Sequence, residues 1–569
     1  MEKIKEFYNE KTDIINILII TIFIALGALI FHGHYNGFFT DKGRELLFPT
    51  AMLDGKVLYK DILCIYFPLA FQVNAVLFKF FGINIQTLEF FNAINAILTC
   101  SFLYLISKEF LSKSFSLLFS LLTALAATFN GALFNLLMPY SCSFTYGATA
   151  YLAALYLLIK YIKNENTKYL PFCYLIAGIA LAFKSEFGIL LTVLLLTTFL
   201  IKPCSLKQNI INIVSYSIFP LISFGILFMQ GVTFGDLVAS FEFMRKFFTT
   251  DSMIYHISRT GAIFRIEDLS MYAQYIPKTI GLYLVSYLLF KVSRKSFFVI
   301  IAAAISAYIA NFTNVGMNTI ILPLTVLAIL LYKAKDIYSD KPFFVLIVAS
   351  LALNIRMFWV LILSTYGFFT AGILILSFIV MLFRYLPEFK FLSKEDLKQF
   401  TVYMAAVYFL FFLAFNIWQY QRNDMLLQTS RGDLYLPKKK VDAISYALSY
   451  VEQFSTPEQK ILVLPEGMTV NFLTKRSLDF KLPMADRLYY DAVGAEKVLE
   501  SLKKTDYEMI FVIQGFGLTN FGNKPYLYED GNPVYEYIKE NYKLDWETQY
   551  YDKPDRSDKN IMKCFVKPY

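Results

Sequence analysis

Phe183-Lys184-Ser185-Glu186-Phe187-Gly188 interrupts an apolar stretch running from about 171 to 201. The reading of this hexapeptide decides the side of every loop after it. As one helix, 171–201 crosses a bilayer once. As two segments, 171–183 and 187–201, it crosses twice, although each is shorter than the ~20 residues of an ordinary span. Loop charge decides between the two. Apolar runs lie near 14–31, 88–106, 114–130, 144–162, 171–183, 187–201, 210–229, 276–290, 297–310, 319–332, 343–353, 357–383 and 401–418, about 13 segments. With the N-terminus inside and one crossing each, the inner loops hold 17 Lys+Arg, from Lys108 and Lys113 through Arg384, Lys390, Lys394 and Lys398. The short outer loops hold only Lys184 and Arg356. Cytoplasmic loops carry the excess of Lys and Arg, so two passes are expected, with a break at Lys184. Non-helical backbone at that depth needs protein or a wet cavity around it. A charge there costs roughly 2.5–3.5 kcal/mol, so Lys184 and Glu186 are expected to face a cavity or a partner.

Composition agrees. Of 569 residues, 57% are hydrophobic, more than the ~45–50% of soluble domains. The first run, Ile14–Phe31, follows charged residues and leads into His32-Gly33-His34-Tyr35 without a small-residue cleavage site, so it reads as a retained anchor. The net charge is +9, but from Tyr420 onward 21 Lys+Arg face 22 Asp+Glu. The basicity therefore belongs to the membrane portion, where it sets topology; a nucleic-acid partner is not indicated. The six cysteines form neither a metal spacing nor a disulfide framework.

Two outer stretches are long, 32–87 and 232–275. Beyond 420 the pattern changes to that of a small α/β domain. Strands are expected at Lys460–Leu464, Tyr507–Ile513 and Lys563–Val566, and helices at Ala495–Leu502 and Pro533–Asn541. The expected organisation is a transmembrane module over 1–419 and an extracytoplasmic α/β domain over 420–569. No internal repeat is visible, and a transporter built from repeated halves would show one.

The first outer stretch opens with Thr40-Asp41-Lys42-Gly43-Arg44-Glu45 and continues through Asp54-Gly55, Tyr59-Lys60-Asp61 and Tyr66-Phe67-Pro68. Apolar residues after Asp41 recur at near-helical spacing, which predicts a short amphipathic helix on the outer membrane surface, disturbed at Pro49. Asp41 at its start suits an N-cap as well as a catalytic base. Glu45, one turn on, suits a second acid or a surface partner of Lys42 or Arg44. Lys184 and Arg356 stand where a phosphate clamp would need cations, although an ion pair of Lys184 with Glu186 accounts for the former equally. His32 and His34 with Asp41 permit a divalent metal, but two histidines at i, i+2 do not indicate one. Tyr66 and Tyr140 are aromatics suited to sugar or acceptor contacts.

That first loop, an acid shortly after the first span, resembles the GT-C superfamily of integral-membrane glycosyltransferases. It is similar in particular to bacterial relatives of protein O-mannosyltransferases and of the lipid A aminoarabinose transferase. It departs from the mannosyltransferases in lacking adjacent Asp-Glu, the second acid being Glu45. The resemblance implies a GT-C-like polytopic helical fold and transfer of a sugar from a polyprenyl-phosphate donor to a glycan, lipid or protein acceptor. It implies Asp41 as base, no required cofactor, an inverting displacement, and a site at the outer face of the bacterial cytoplasmic membrane. The rival reading is a transporter or flippase of lipid-linked saccharides.

Overall fold

The computed structural model describes residues 2–35, 42–129, 135–259, 318–355, 367–388, 393–514, 527–550 and 560–568, with pieces of 281–291. Asp41, Arg356, the expected segment 297–310 and most of 276–290 lie outside them, as does the end of the stretch 232–275. Among the described residues, helices dominate as far as Arg422. In order they are α1 (Glu2–Ile30), α2 (Lys42–Leu53), α3 (Leu69–Phe81), α4 (Ile85–Ser107), α5 (Lys113–Thr128), α6 (Cys142–Asn164), α7 (Tyr169–Phe183), α8 (Ser185–Ile201) and α9 (Leu206–Met229). After them come α10 (Phe234–Thr249), α11 (Asp251–Arg259), α12 (Asn318–Tyr332), α13 (Ala334–Ser339), α14 (Lys341–Leu353), α15 (Gly367–Tyr385) and α16 (Lys394–Arg422). Among the described residues, six helices are long and apolar enough to cross a membrane: α1, α4, α6, α9, α15 and α16. Six shorter apolar helices pack with them. The protein is a polytopic helical membrane protein.

Local sequence starts these helices. Asn84 caps α4 by accepting from Thr87 N at 2.7 Å, and Ser393 caps α16 by accepting from Asp396 N at 3.0 Å. Such side chains satisfy amide groups that a helix start leaves unbonded. The break at Lys184 is real: its backbone is extended, with φ −158° and ψ 127°. α7 runs antiparallel to α6, with Cys173 Sγ on the Ala154 carbonyl at 3.3 Å and the Phe183 ring 5.4 Å from Tyr146. α8 then returns alongside α6, from Phe187 beside Phe144 to Lys202 beside Tyr161. Gly147 permits this approach, because a Cβ there would lie 2.4 Å from the Phe187 ring. The stretch 171–201 is therefore a hairpin.

That hairpin sorts the loops into two ends. At one end lie the basic connections, each paired: Lys108 with Asp13 at 2.8 Å, Lys163 with Glu109 at 3.0 Å, Lys202 with Glu165 at 2.8 Å and Arg384 with Asp340 at 2.8 Å. A cavity of about 690 Å³ joins the connections after α6, α8, α13 and α15 at this end. At the other end lie α2, the Lys184 turn and the α/β region.

The α/β region contains a hairpin of β1 (Met425–Leu427) and β2 (Leu434–Leu436), then α17 (Lys438–Phe454), β3 (Lys460–Leu464), α18 (Met468–Thr474), α19 (Arg487–Val493) and α20 (Ala495–Lys504). β4 (Tyr507–Gln514), α21 (Pro533–Asn541), β5 (Lys543–Tyr550) and β6 (Asn560–Val566) complete it. The sheet order is β3-β4-β6-β5, with β3 and β4 parallel and the other pairs antiparallel. The expected strands and helices of this region are all present. The β1–β2 hairpin, α17, α18, α19 and β5 are additional; of these, β5, Lys543-Leu-Asp-Trp-Glu-Thr-Gln-Tyr550, is too polar to read as a strand and lies at the sheet edge.

One expectation is corrected. The helix after Asp41 does not lie amphipathically on a membrane surface. Residues Lys42 to Ala51 of α2 are all buried, because the α/β region covers the helix. A Cβ on Gly43 would lie 2.5 Å from Thr469 N of α18, so glycine sets how closely the two helices approach. Apolar side chains of α2, α3 and the β3–β4–β6 sheet belong to one core, from Leu46 and Phe48 to Ile510 and Phe565. Pro49 does not end the helix, which runs four residues beyond it to Leu53.

Candidate active site

α2 carries three charged residues in its first turn, and all are buried: Lys42 is 0% exposed, Arg44 2% and Glu45 2%. Glu45 is held from two sides. Arg44 donates to Oε1 at 3.3 Å, and the Cys142 amide donates to Oε2 at 3.2 Å. Cys142 is the first residue of α6, so the carboxylate sits at a helix N-terminus, where backbone amides favour negative charge. Burial pushes the Glu45 carboxyl above its usual range, and Arg44 and the Cys142 amide oppose that push. Burial likewise pushes the Lys42 ammonium down to about 7. The pairing of Glu45 with Arg44 thus exists as a buried contact and not as a surface one.

Arg44 gathers the two tyrosines named from sequence. Its Nη1 donates to Tyr66 Oη at 2.9 Å and its Nη2 to the Tyr140 carbonyl at 3.3 Å. The guanidinium lies 4.3 Å from the Tyr66 ring centroid and 5.7 Å from that of Tyr140. Stacking of this kind suits the planar, weakly hydrated guanidinium better than an ammonium. Tyr66 is itself fixed, its carbonyl accepting from Tyr59 Oη at 2.6 Å.

Lys184 is not isolated. Its Nζ lies 3.4 Å from Glu186 Oε2 and 4.9 Å over the Phe144 ring. Phe144 follows Cys142 by two residues, so the Lys184 turn stands beside the α6 N-terminus that Glu45 caps. The chain that carries Arg356 leaves and returns at the same place. Asn354 and Thr370 bracket it, with Thr370 Oγ1 donating to Asn354 Oδ1 at 2.8 Å, and Phe369 is 5.7 Å from Phe144 ring to ring. Asp41 is bonded in sequence to Lys42, the first residue of α2. The structure thus gathers Glu45, Tyr66, Tyr140 and Lys184 at one end of the bundle.

Among the described residues no group of three or more His, Cys, Asp or Glu is placed to hold a metal. His32 and His34 diverge: His32 pairs with Glu89 at 2.8 Å, and His34 stacks between Tyr420 and Tyr435 at 3.9 and 4.1 Å. Two residues of interest escape the sequence reading. Arg44 looks like an ordinary loop cation, and only its burial distinguishes it. Glu89 does carry a signal, an acid inside the apolar run 88–106, since ionisable residues in spans are usually functional.

Comparison with known proteins bears on this end of the molecule. Residues 68–227 match the family model described as dolichyl-phosphate-mannose-protein mannosyltransferase. That segment runs from Pro68, beside the site, through the Lys184 hairpin to α9. Among curated proteins, none matches this chain in sequence. Solved structures similar to it include the archaeal oligosaccharyltransferase AglB from Archaeoglobus fulgidus in complex with an inhibitory peptide and a dolichol-phosphate. That likeness has a TM-score of 0.48 at 11% identity over 89% of this chain and 70% of the other. ArnT from Cupriavidus metallidurans bound to undecaprenyl phosphate is similar with a TM-score of 0.45 at 12% identity, over 96% and 97%. The family match supports the resemblance to GT-C glycosyltransferases first read from the outer loop.

Proposed function

We propose that this protein is a glycosyltransferase that moves a sugar from a polyprenyl-phosphate donor to an acceptor at the outer face of the bacterial cytoplasmic membrane. One observation carries the reading. A buried, charge-bearing helix begins directly after Asp41, at the end opposite the basic loops, in a chain whose 68–227 segment matches a mannosyltransferase family. A stability argument does not explain such a helix, because burying ions costs several kcal/mol each. The basic end faces the cytoplasm by the positive-inside rule, which puts α2 and the α/β region outside.

The chemistry asks little of the protein. The leaving polyprenyl phosphate is already a stable anion. What remains is a base for the acceptor hydroxyl or amine and cations for the phosphate. Asp41 is the base. Arg44, aligned by Tyr66 and Tyr140, serves the phosphate together with Lys184 and Arg356. Glu45 has both oxygens engaged, so its part is to hold Arg44 and the α6 N-terminus in place and to shape the acceptor side. Direct displacement inverts the anomeric centre. No metal is assigned a step. The acceptor is a glycan, lipid or protein, and the α/β region that covers α2 forms the wall it approaches.

The test is transfer by purified protein in nanodiscs, with polyprenyl-phosphate mannose as first donor and the product anomer read by NMR. Inverted product supports the reading. Movement of intact lipid-linked sugar across a liposome without product would favour the flippase instead. Thiol labelling of Asp54→Cys and Asp530→Cys from outside the cell checks the orientation.

A further inference from the structure

Tyr489 lies on α19 of the α/β region, and the transfer step above makes no use of it. It is 7% exposed. Three outer elements fix its ring. Asp486 caps α19 by accepting from Leu488 N at 2.8 Å and from Tyr489 N at 3.0 Å. From the second outer stretch, the rings of Phe243 and Phe247 on α10 lie 5.7 and 5.0 Å from the Tyr489 ring. Ser252 of α11 donates to Asp491 Oδ2 of α19. From the first outer stretch, the Leu63 amide donates to the Phe480 carbonyl at 2.9 Å. The loop that carries Tyr66 is thereby stitched to the α/β region.

The ring is held, but the hydroxyl is not. Among the described residues it has no hydrogen-bond partner, whereas a buried tyrosine hydroxyl usually has one. Tyr66, Arg44, Asp486 and Cys64 face it. Each of these is engaged elsewhere or cannot accept. Arg44 offers donors only, and Tyr66 Oη already accepts from Arg44. Asp486 Oδ1 is taken up at the start of α19, and Cys64 Sγ donates to the Tyr66 carbonyl at 3.4 Å. Burial, and after it Tyr66, holds the phenol well above its ordinary value, with Arg44 opposing. The hydroxyl therefore keeps its proton and is a donor. A guanidinium and a donor hydroxyl that face each other call for an anionic oxygen between them. We propose that Tyr489 donates a hydrogen bond to the phosphate of the polyprenyl-phosphate donor, so that the α/β region contributes directly to the donor site. The proposal rests on the reading of Arg44 as a cation for that phosphate.

Tyr489→Phe keeps the ring against Phe243 and Phe247 and removes the hydroxyl alone. Its thermal midpoint should equal or exceed that of wild type, because an unsatisfied buried polar group is a cost. The probe is undecaprenyl phosphate, with undecaprenol as the phosphate-free control, in equilibrium binding to the full-length protein in nanodiscs. Wild type should prefer the phosphorylated lipid. Tyr489→Phe should bind it about ten- to hundredfold more weakly, the loss of one hydrogen bond to a charged group, and should bind undecaprenol as wild type does. Undiminished binding of undecaprenyl phosphate by Tyr489→Phe overturns the proposal and leaves the transferase reading standing. An equal loss for both lipids, or a lower thermal midpoint, also overturns it, since the hydroxyl would then serve packing. So does a wild type that binds both lipids alike, which removes the phosphate site altogether. Hydroxyl-dependent binding in a protein that transfers no sugar from any polyprenyl-phosphate donor would uphold the phosphate contact and defeat the transferase reading.

Discussion

The two ends of this helical bundle use the same residue types in opposite ways. At the basic end, Lys108, Lys163, Lys202 and Arg384 pair with Asp13, Glu109, Glu165 and Asp340 while keeping side chains partly in water. Pairs of that kind are worth about 0–1 kcal/mol. Their value lies in which side of the membrane they hold. At the other end, Lys42, Arg44 and Glu45 are withdrawn from solvent under the α/β region. There each ion costs several kcal/mol to bury, so their retention points to chemistry. On the proposed reading, position in a membrane protein, more than residue type, separates a charge that sets topology from one that serves the site.

The largest effect that sharpens this contrast is expected at Arg44. Arg44→Met leaves Glu45 a buried carboxylate without its cation and should cost about 3–5 kcal/mol of stability, read as a lower thermal midpoint. The double variant Arg44→Met, Glu45→Leu should recover much of that stability and none of the activity. Recovery of both would make the buried pair a folding device only. Next come Lys184→Ala and Arg356→Ala. Losing one charge-assisted contact to phosphate should slow transfer roughly ten- to hundredfold while the protein still inserts. Wild-type donor kinetics in both would remove them from the site. The smallest effect belongs to the basic end, where Arg384→Gln should change stability by no more than about 0.5 kcal/mol and leave transfer intact. A large loss of transfer there would erase the distinction between the ends.

Much of this was legible before any coordinates. The break at Lys184, read from loop charge against segment length, is a real hairpin, because basic side chains stay on one side of a membrane. The strands and helices around Lys460, Tyr507 and Pro533 follow from short apolar runs bounded by turns and from helical periodicity. What sequence hides is how parts meet. α2 reads as a surface helix because its apolar residues line one side. Its burial depends on Gly43 meeting Thr469, more than 400 residues away in the chain. Arg44 becomes notable only once Tyr66 and Tyr140 are seen around it. Lys184 was open to two readings from sequence, a phosphate cation or a partner of Glu186, and the pair with Glu186 is present. Glu89 was visible as an acid in an apolar run, but its partners His32 and Tyr35 come from another segment.

The most direct test of the central claim compares Asp41→Asn with Arg384→Gln for transfer rate at matched expression. Asn caps a helix about as well as Asp, so folding and insertion should not change. The amide cannot take the acceptor's proton, and loss of a general base typically costs 10²–10⁴-fold, on the order of 3–5 kcal/mol in the barrier. The account predicts that loss for Asp41→Asn and a wild-type rate for Arg384→Gln. A normally expressed Asp41→Asn protein that transfers sugar at the wild-type rate would contradict it.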